Sequence, residues 1–112
     1  MSKRDPKLLV GDILESAHKI LGYTDGLTFE EFLNDAKTAD AVIRNFEIIG
    51  EAANRLSEDY KSRFPEIDWQ RIRGFRNRIV HDYFGIDYSI VWLIKETFLI
   101  DMIVQLKAIP HN

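Results

Sequence analysis

The chain has 112 residues, 46% of them hydrophobic and 29% charged, a balance typical of one folded domain rather than a disordered segment. It contains no cysteine, which excludes disulfide bonds, thiolate metal sites and a cysteine nucleophile. The net charge of −3 provides no general basic field for nucleic acid, so such a contact would need a local basic patch.

The first half of the chain predicts three helices. Asp5 followed by Pro6 is a favourable N-cap and first-turn pair, and apolar residues at helical spacing continue to about Tyr23. Residues 28–31 (TFEE) match a capping box and predict a short helix or turn. Apolar residues at helical spacing then predict a long helix over about 35–60.

The second half predicts two further helices. Asp68 can cap a helix that carries the polar run at 76–83, and Gly85 would break it. Asp87 can cap a last helix over about 88–109, which Pro110 would end. No stretch shows convincing alternation of period two. We therefore predict an all-α fold, a small bundle of four to five helices in which residues 1–112 form a single domain.

The last predicted helix is apolar on nearly every side, which is typical of a helix that is buried on every side. A central helix in the core of a monomer would explain this pattern. In so small a bundle, we instead expect some of that surface to meet another chain, and we favour a homodimer.

Residues 76–83 (RNRIVHDY) hold most of the chemistry in the sequence: two guanidiniums, an amide, an imidazole and a phenol. Arginine binds phosphate through a fixed fork of donors, and histidine exchanges protons near neutral pH. This combination suits phosphodiester chemistry better than most alternatives.

On a continuous helix, five polar side chains of this region would share an arc of about 160°. They are Arg73, Arg76, Asn77, His81 and Tyr83. Ile72, Phe75 and Ile79 would point the other way, toward a core. The arrangement predicts one coherent polar face.

Each of these residues also has a simple structural explanation. Arg73 and Arg78 could be ordinary solvated charges, and we favour that explanation for Arg78, which falls outside the arc. His81 near a helix C-terminus would be stabilised by the helix dipole, and Tyr83 could lie at the edge of a core.

The histidines argue against a metal site. His18 has no acidic or histidine partner at ligand spacing and we expect it to be structural or exposed, while His111 lies in the C-terminal tail. We therefore expect a site that needs neither a metal nor another cofactor.

The order Arg76, four residues, His81, one residue, Tyr83 is the R-x(4)-H-x-Y pattern of the HEPN superfamily. Residues 41–53 (AVIRNFEIIGEAA) and 64–69 (FPEIDW) also resemble the corresponding segments of the HepT-like toxins, so the resemblance covers essentially the whole chain.

This resemblance implies a helical bundle that dimerises and brings two motifs together across a cleft. It implies the toxin of a type II/VII-like toxin–antitoxin pair, an endoribonuclease that cleaves RNA without a metal. The partner would be an MntA-like nucleotidyltransferase antitoxin, which can silence the toxin by AMPylation of the motif tyrosine, here Tyr83. Toxin and antitoxin can also form a larger hetero-oligomer.

The chemistry of the residues agrees with these roles. His81 can transfer protons and Arg76 can hold the scissile phosphate, so we expect both to be catalytic. Asn77 and Arg73 would support them, with Asn77 orienting His81. Because one histidine cannot easily be acid and base at once, a dimer with two copies of the motif is physically sensible.

Two other functions stay open at this point. The chain could be a non-catalytic nucleotide- or protein-binding helical dimer that partners a nucleotidyltransferase, or a purely structural helical dimer. The N-terminus has no signal-peptide core and no apolar run could span a bilayer. We expect a cytoplasmic protein without a membrane partner.

Overall fold

Eight helices and a two-stranded hairpin make up the part of the chain that the computed structural model describes, which is residues 4–81 and 85–110, with the backbone alone at His81. In chain order the elements are α1 (Pro6–Thr24), α2 (Phe29–Leu33), α3 (Ala36–Arg55), α4 (Glu58–Ser62), α5 (Trp69–Arg73), α6 (Phe75–Ile79), β1 (Val80–His81), β2 (Gly85–Ile86), α7 (Tyr88–Thr97) and α8 (Leu99–Lys107). The all-α class is confirmed.

Side-chain caps set the start of each helix that the sequence predicted. Each cap oxygen accepts a hydrogen bond from a backbone N–H in the first turn, at 2.8–3.2 Å. The capping residues are Asp5, Thr28, Asp35, Asp68 and Asp87. At Thr28 both bonds of the predicted capping box form.

Two of the predicted helices outside the motif are divided. The long helix ends at Arg55 instead of continuing to about residue 60, because Ser57 caps a separate helix by accepting a hydrogen bond from the N–H of Tyr60. The last helix is interrupted at Phe98, just after the Thr97 hydroxyl donates to the Leu93 carbonyl at 2.7 Å. Such back-bonding by threonine is a known cause of helix bending.

The prediction that one helix carries the whole motif is wrong. The helix is interrupted at Gly74, and its second part ends at Ile79. A β-hairpin follows, in which His81 pairs with Gly85. The N–H of Asp87 donates to the Ile79 carbonyl at 2.8 Å, and Gly85 has a φ of +76°, a conformation that favours glycine. Backbone pairing across the hairpin therefore outweighs the helical periodicity.

The core lies where α1 and α3 pack together and against the C-terminal helices. Ile72, Phe75 and Ile79 are buried, as predicted, and the Phe75 ring stacks edge-on against Phe46 and Phe98. This packing fixes α5 and α6 against α3, which positions the polar face of the motif. None of the described helices is long and apolar enough to cross a membrane.

Candidate active site

A groove of about 920 Å³ runs between α3 and the pair α5–α6. Five arginines and three carboxylates line it, so the groove is locally basic although the chain has a net charge of −3. The arginines are Arg44, Arg71, Arg73, Arg76 and Arg78. This is the local basic patch that contact with a polyanion requires.

The floor of the groove depends on a close approach between two helices. Gly50 is buried on α3, and a Cβ atom added there would lie 3.4 Å from the carbonyl oxygen of Arg73 and 3.7 Å from that of Ile72. A small residue at position 50 thus lets the C-terminal end of α5 pack directly on α3. That contact holds the arginines of α5 and α6 beside the polar face of α3.

Arg76 points into this groove with its guanidinium largely accessible. Its side chain is 64% exposed, and its Nε atom lies 3.8 Å from the Oε2 atom of Glu47 on α3. That distance is too long for a hydrogen bond, and an exposed pair of this kind contributes little to stability. The fork of N–H donors on Arg76 stays available for a phosphate.

The structure brings three of the predicted site residues together. Arg73, Arg76 and Asn77 are exposed and line the same groove. Arg78, which falls outside the arc of the helical wheel, is exposed and lines the groove too. The wheel assumed one straight helix, whereas Gly74 separates two short helices, α5 and α6.

The remaining two predicted residues, His81 and Tyr83, come after the groove residues in the sequence. The His81 backbone lies in β1, two residues after the end of α6, so His81 does not share a helical face with Asn77. Tyr83 lies outside the described residues. His18 is exposed on α1, as expected, and His111 is outside the described residues. Within the described part of the chain, no three acidic or histidine side chains cluster closely enough to hold a metal ion.

Comparison with known proteins assigns the chain to a family. The model of the family described as "Ribonuclease HepT-like" matches residues 13–109, a span that includes the groove and the whole motif. The chain belongs to the ribonuclease HepT-like family.

Several relatives cover most of this HepT-like chain. Two proteins of Methanocaldococcus jannaschii, each named as a proposed RNase, are both 44% identical to it. One matches over 82% of this chain and 76% of its own length, the other over 86% and 89%. A protein of Thermococcus cleftensis whose name proposes ribonuclease HepT is 42% identical over 80% of this chain and 82% of its own length. No solved structure matches the chain significantly.

Reasoning from the sequence missed the wall of the groove that α3 supplies. Arg44, Glu47, Glu51 and Asn54 line it from one face of that helix. Their spacing of three and four residues is a signal that the sequence does contain. Only the packing of α3 on α5 shows that this polar face borders the motif instead of open solvent.

Arg71 was also missed. Its guanidinium carbon lies 4.3 Å from the centre of the Phe98 ring, and its Nε atom is buried without a hydrogen-bond partner in the described structure. A cation held over an aromatic face is stabilised by the ring quadrupole. Arg71 is thereby anchored at the base of the HepT-like groove, where it adds to the positive potential.

Proposed function

We propose that this chain is a metal-independent endoribonuclease and the toxin of a toxin–antitoxin pair. The observation that carries the proposal is the position of Arg76, exposed in an arginine-lined groove and five residues before His81, in a chain of the ribonuclease HepT-like family. RNA is the substrate class that such a groove and such relatives support.

The reaction is an internal transesterification. A base removes the proton from a ribose 2′-hydroxyl, the 2′-oxygen bonds to phosphorus, and the bond from phosphorus to the 5′-oxygen breaks. An acid then protonates that 5′-oxygen, leaving a 2′,3′-cyclic phosphate and a free 5′-hydroxyl. His81 supplies proton transfer, while Arg76 binds the phosphate and stabilises charge on the phosphorane. Arg73 and Asn77 support binding from the same groove.

The proposed active form is a homodimer. One copy of the motif contains one histidine, whereas the reaction needs both an acid and a base. Support for association comes from α7 and α8, where Leu93, Ile100 and Val104 are 48%, 58% and 63% exposed. An exposed apolar face of this kind is typical of a protein–protein contact.

Cleavage of RNA in EDTA tests the proposal. We expect the purified chain to cut RNA and leave 2′,3′-cyclic phosphate ends, and Arg76→Ala to lower kcat/KM by about 10²–10³. His81→Ala should lose a factor of about 10²–10⁴. Arg55→Ala, an exposed arginine on α3 that does not line the groove, is the matched control and should cleave like the parent.

Unchanged cleavage by His81→Ala would contradict the catalytic assignment. RNA or nucleotide binding without any cleavage by the parent would instead favour the non-catalytic binding dimer.

We further propose that the partner is an MntA-like nucleotidyltransferase antitoxin acting in the cytoplasm, which joins the toxin in a hetero-oligomer. The antitoxin would transfer AMP from ATP to Tyr83, whose phenolic oxygen bonds to the α-phosphorus as pyrophosphate leaves. The intact mass should rise by one or more AMP groups when the two proteins are produced together. Tyr83→Phe should show no such gain, and a parent whose mass does not change under these conditions would argue against this regulation.

A further inference from the structure

A buried lysine lies close to the active-site groove and has no role in the proposed reaction. Lys61 on α4 is 7% exposed. Its Nζ atom lies 3.7 Å from the Oε1 atom of Glu58, whose side chain is 86% exposed. An ion pair of this length with a solvated carboxylate is weak, so the ammonium group of Lys61 remains available to pair with a further anion.

Lys61 lines a small pocket of about 200 Å³. The other lining residues are Glu58, Trp69, Gln70 and Arg73, so two cations and one amide surround one carboxylate. The Trp69 indole N–H already donates to the Phe64 carbonyl at 3.2 Å, which makes the ring a wall of the pocket. A compact anion with several acceptor oxygens matches this combination of donors and volume.

The small pocket adjoins the active-site groove. Gln70 and Arg73 line both cavities, so α5 forms the ridge between them. We propose that the pocket is a second phosphate subsite, in which Lys61, Arg73 and Gln70 hold an RNA backbone phosphate next to the scissile one. This inference rests on the proposed ribonuclease function. The subsite would fix the register of the strand, since phosphate contacts position nucleic acid without reading its sequence.

Two pairs of variants test the subsite, with binding of a non-cleavable 2′-O-methyl oligoribonucleotide measured against salt concentration. Lys61→Gln should bind about tenfold more weakly, the effect of losing one charged hydrogen bond. The slope of log K against log salt should fall by about 0.7, the value for one phosphate contact on a single strand. Lys19→Gln on α1 removes an equal charge from an exposed pair with Glu15, and should bind like the parent.

The second pair of variants tests the subsite even if Lys61→Gln fails to fold. Glu58→Gln removes the pocket's exposed carboxylate, so RNA binding should tighten severalfold. Glu15→Gln, which breaks the equivalent pair on α1, should bind like the parent. If each pocket variant behaves like its α1 control, the subsite does not exist.

Inorganic phosphate distinguishes the two anions that could occupy the pocket, an RNA backbone phosphate and free phosphate. In one outcome, phosphate raises the Tm of the parent more than it raises the Tm of Lys61→Gln, while the two proteins have equal salt slopes for RNA binding. That result would mean that the pocket takes free phosphate, and it would overturn the RNA assignment. A parent that binds no RNA overturns both this inference and the proposed function. Loss of the subsite alone, with cleavage still dependent on Arg76, overturns only this inference.

Discussion

The Nε atom of Arg76 lies 3.8 Å from the Oε2 atom of Glu47, which links the motif helix α6 to the long helix α3. The contact involves Nε and leaves the outer nitrogens of the guanidinium available for a phosphate. We therefore expect Glu47 to position Arg76, which would touch the substrate in the proposed reaction.

Glu47→Gln should lower kcat for RNA cleavage about three- to tenfold with little change in KM, because a poorly oriented guanidinium costs transition-state stabilisation. Stability should change by less than about 1 kcal/mol, since both side chains are more than a third exposed. Steady-state kinetics and urea unfolding measure the two effects. Glu51→Gln removes an equal charge from the same groove and is the control. Equal kcat values for the two variants would refute the positioning role.

Gly50 should tolerate alanine but not valine. The Cβ of alanine would make an ordinary contact with the Arg73 carbonyl at 3.4 Å, whereas the γ-methyl groups of valine would push α5 away from α3. We expect Gly50→Val to lose about 1–3 kcal/mol of unfolding free energy and to cleave RNA poorly. Gly11 on α1 has no neighbour within 4 Å of an added Cβ, so Gly11→Ala should gain about 1 kcal/mol. Chemical denaturation measures all of these changes, and a Gly50→Val variant as stable as the parent would contradict the close approach.

Val104→Glu should convert the proposed dimer to a monomer without unfolding it. Val104 and Ile100 lie four residues apart on α8 and are exposed, so a charge there would be buried unpaired at an interface. Sedimentation velocity should show the loss of the dimer, and RNA cleavage should fall with it. Leu8→Glu, an exposed apolar position on α1, is the control. A parent that is monomeric at every concentration would rule out the dimeric site.

Asp35 should make the stability of α3 depend on acidic pH. The hydrogen bonds that its carboxylate accepts from the hydroxyl and the backbone N–H of Thr38, at 2.7 and 3.1 Å, lower the pKa of Asp35 below its ordinary 3.8. The stabilisation is therefore complete above pH 3.8 and is lost as the pH falls through the lower folded-state pKa. Asp35→Asn keeps a good cap but removes the titration, so the difference in Tm between parent and variant should be present above pH 3.8 and should shrink below it. A difference that is constant from pH 7 into this acidic range would show that Asp35 does not contribute in this way.

Much of the fold could be predicted from the sequence because its signals are local. Asp5, Thr28, Asp35, Asp68 and Asp87 each cap a helix by bonding to an N–H two or three residues away, so neighbouring residues are sufficient to locate these starts. Apolar spacing likewise identified the buried faces. Helix ends were less predictable, since α6 ends at Ile79, whose carbonyl accepts from Asp87 across the hairpin.

The sequence by itself therefore determined the all-α class and the starts of five helices, and it contains the motif pattern with Arg76 and His81. Only the tertiary structure decided what surrounds Arg76. Glu47 and Arg44 are about thirty residues away in the chain, and they reach the groove because Gly50 lets α3 contact α5. Spacing along a helix reports which residues share a face, but which face meets which depends on packing between distant segments.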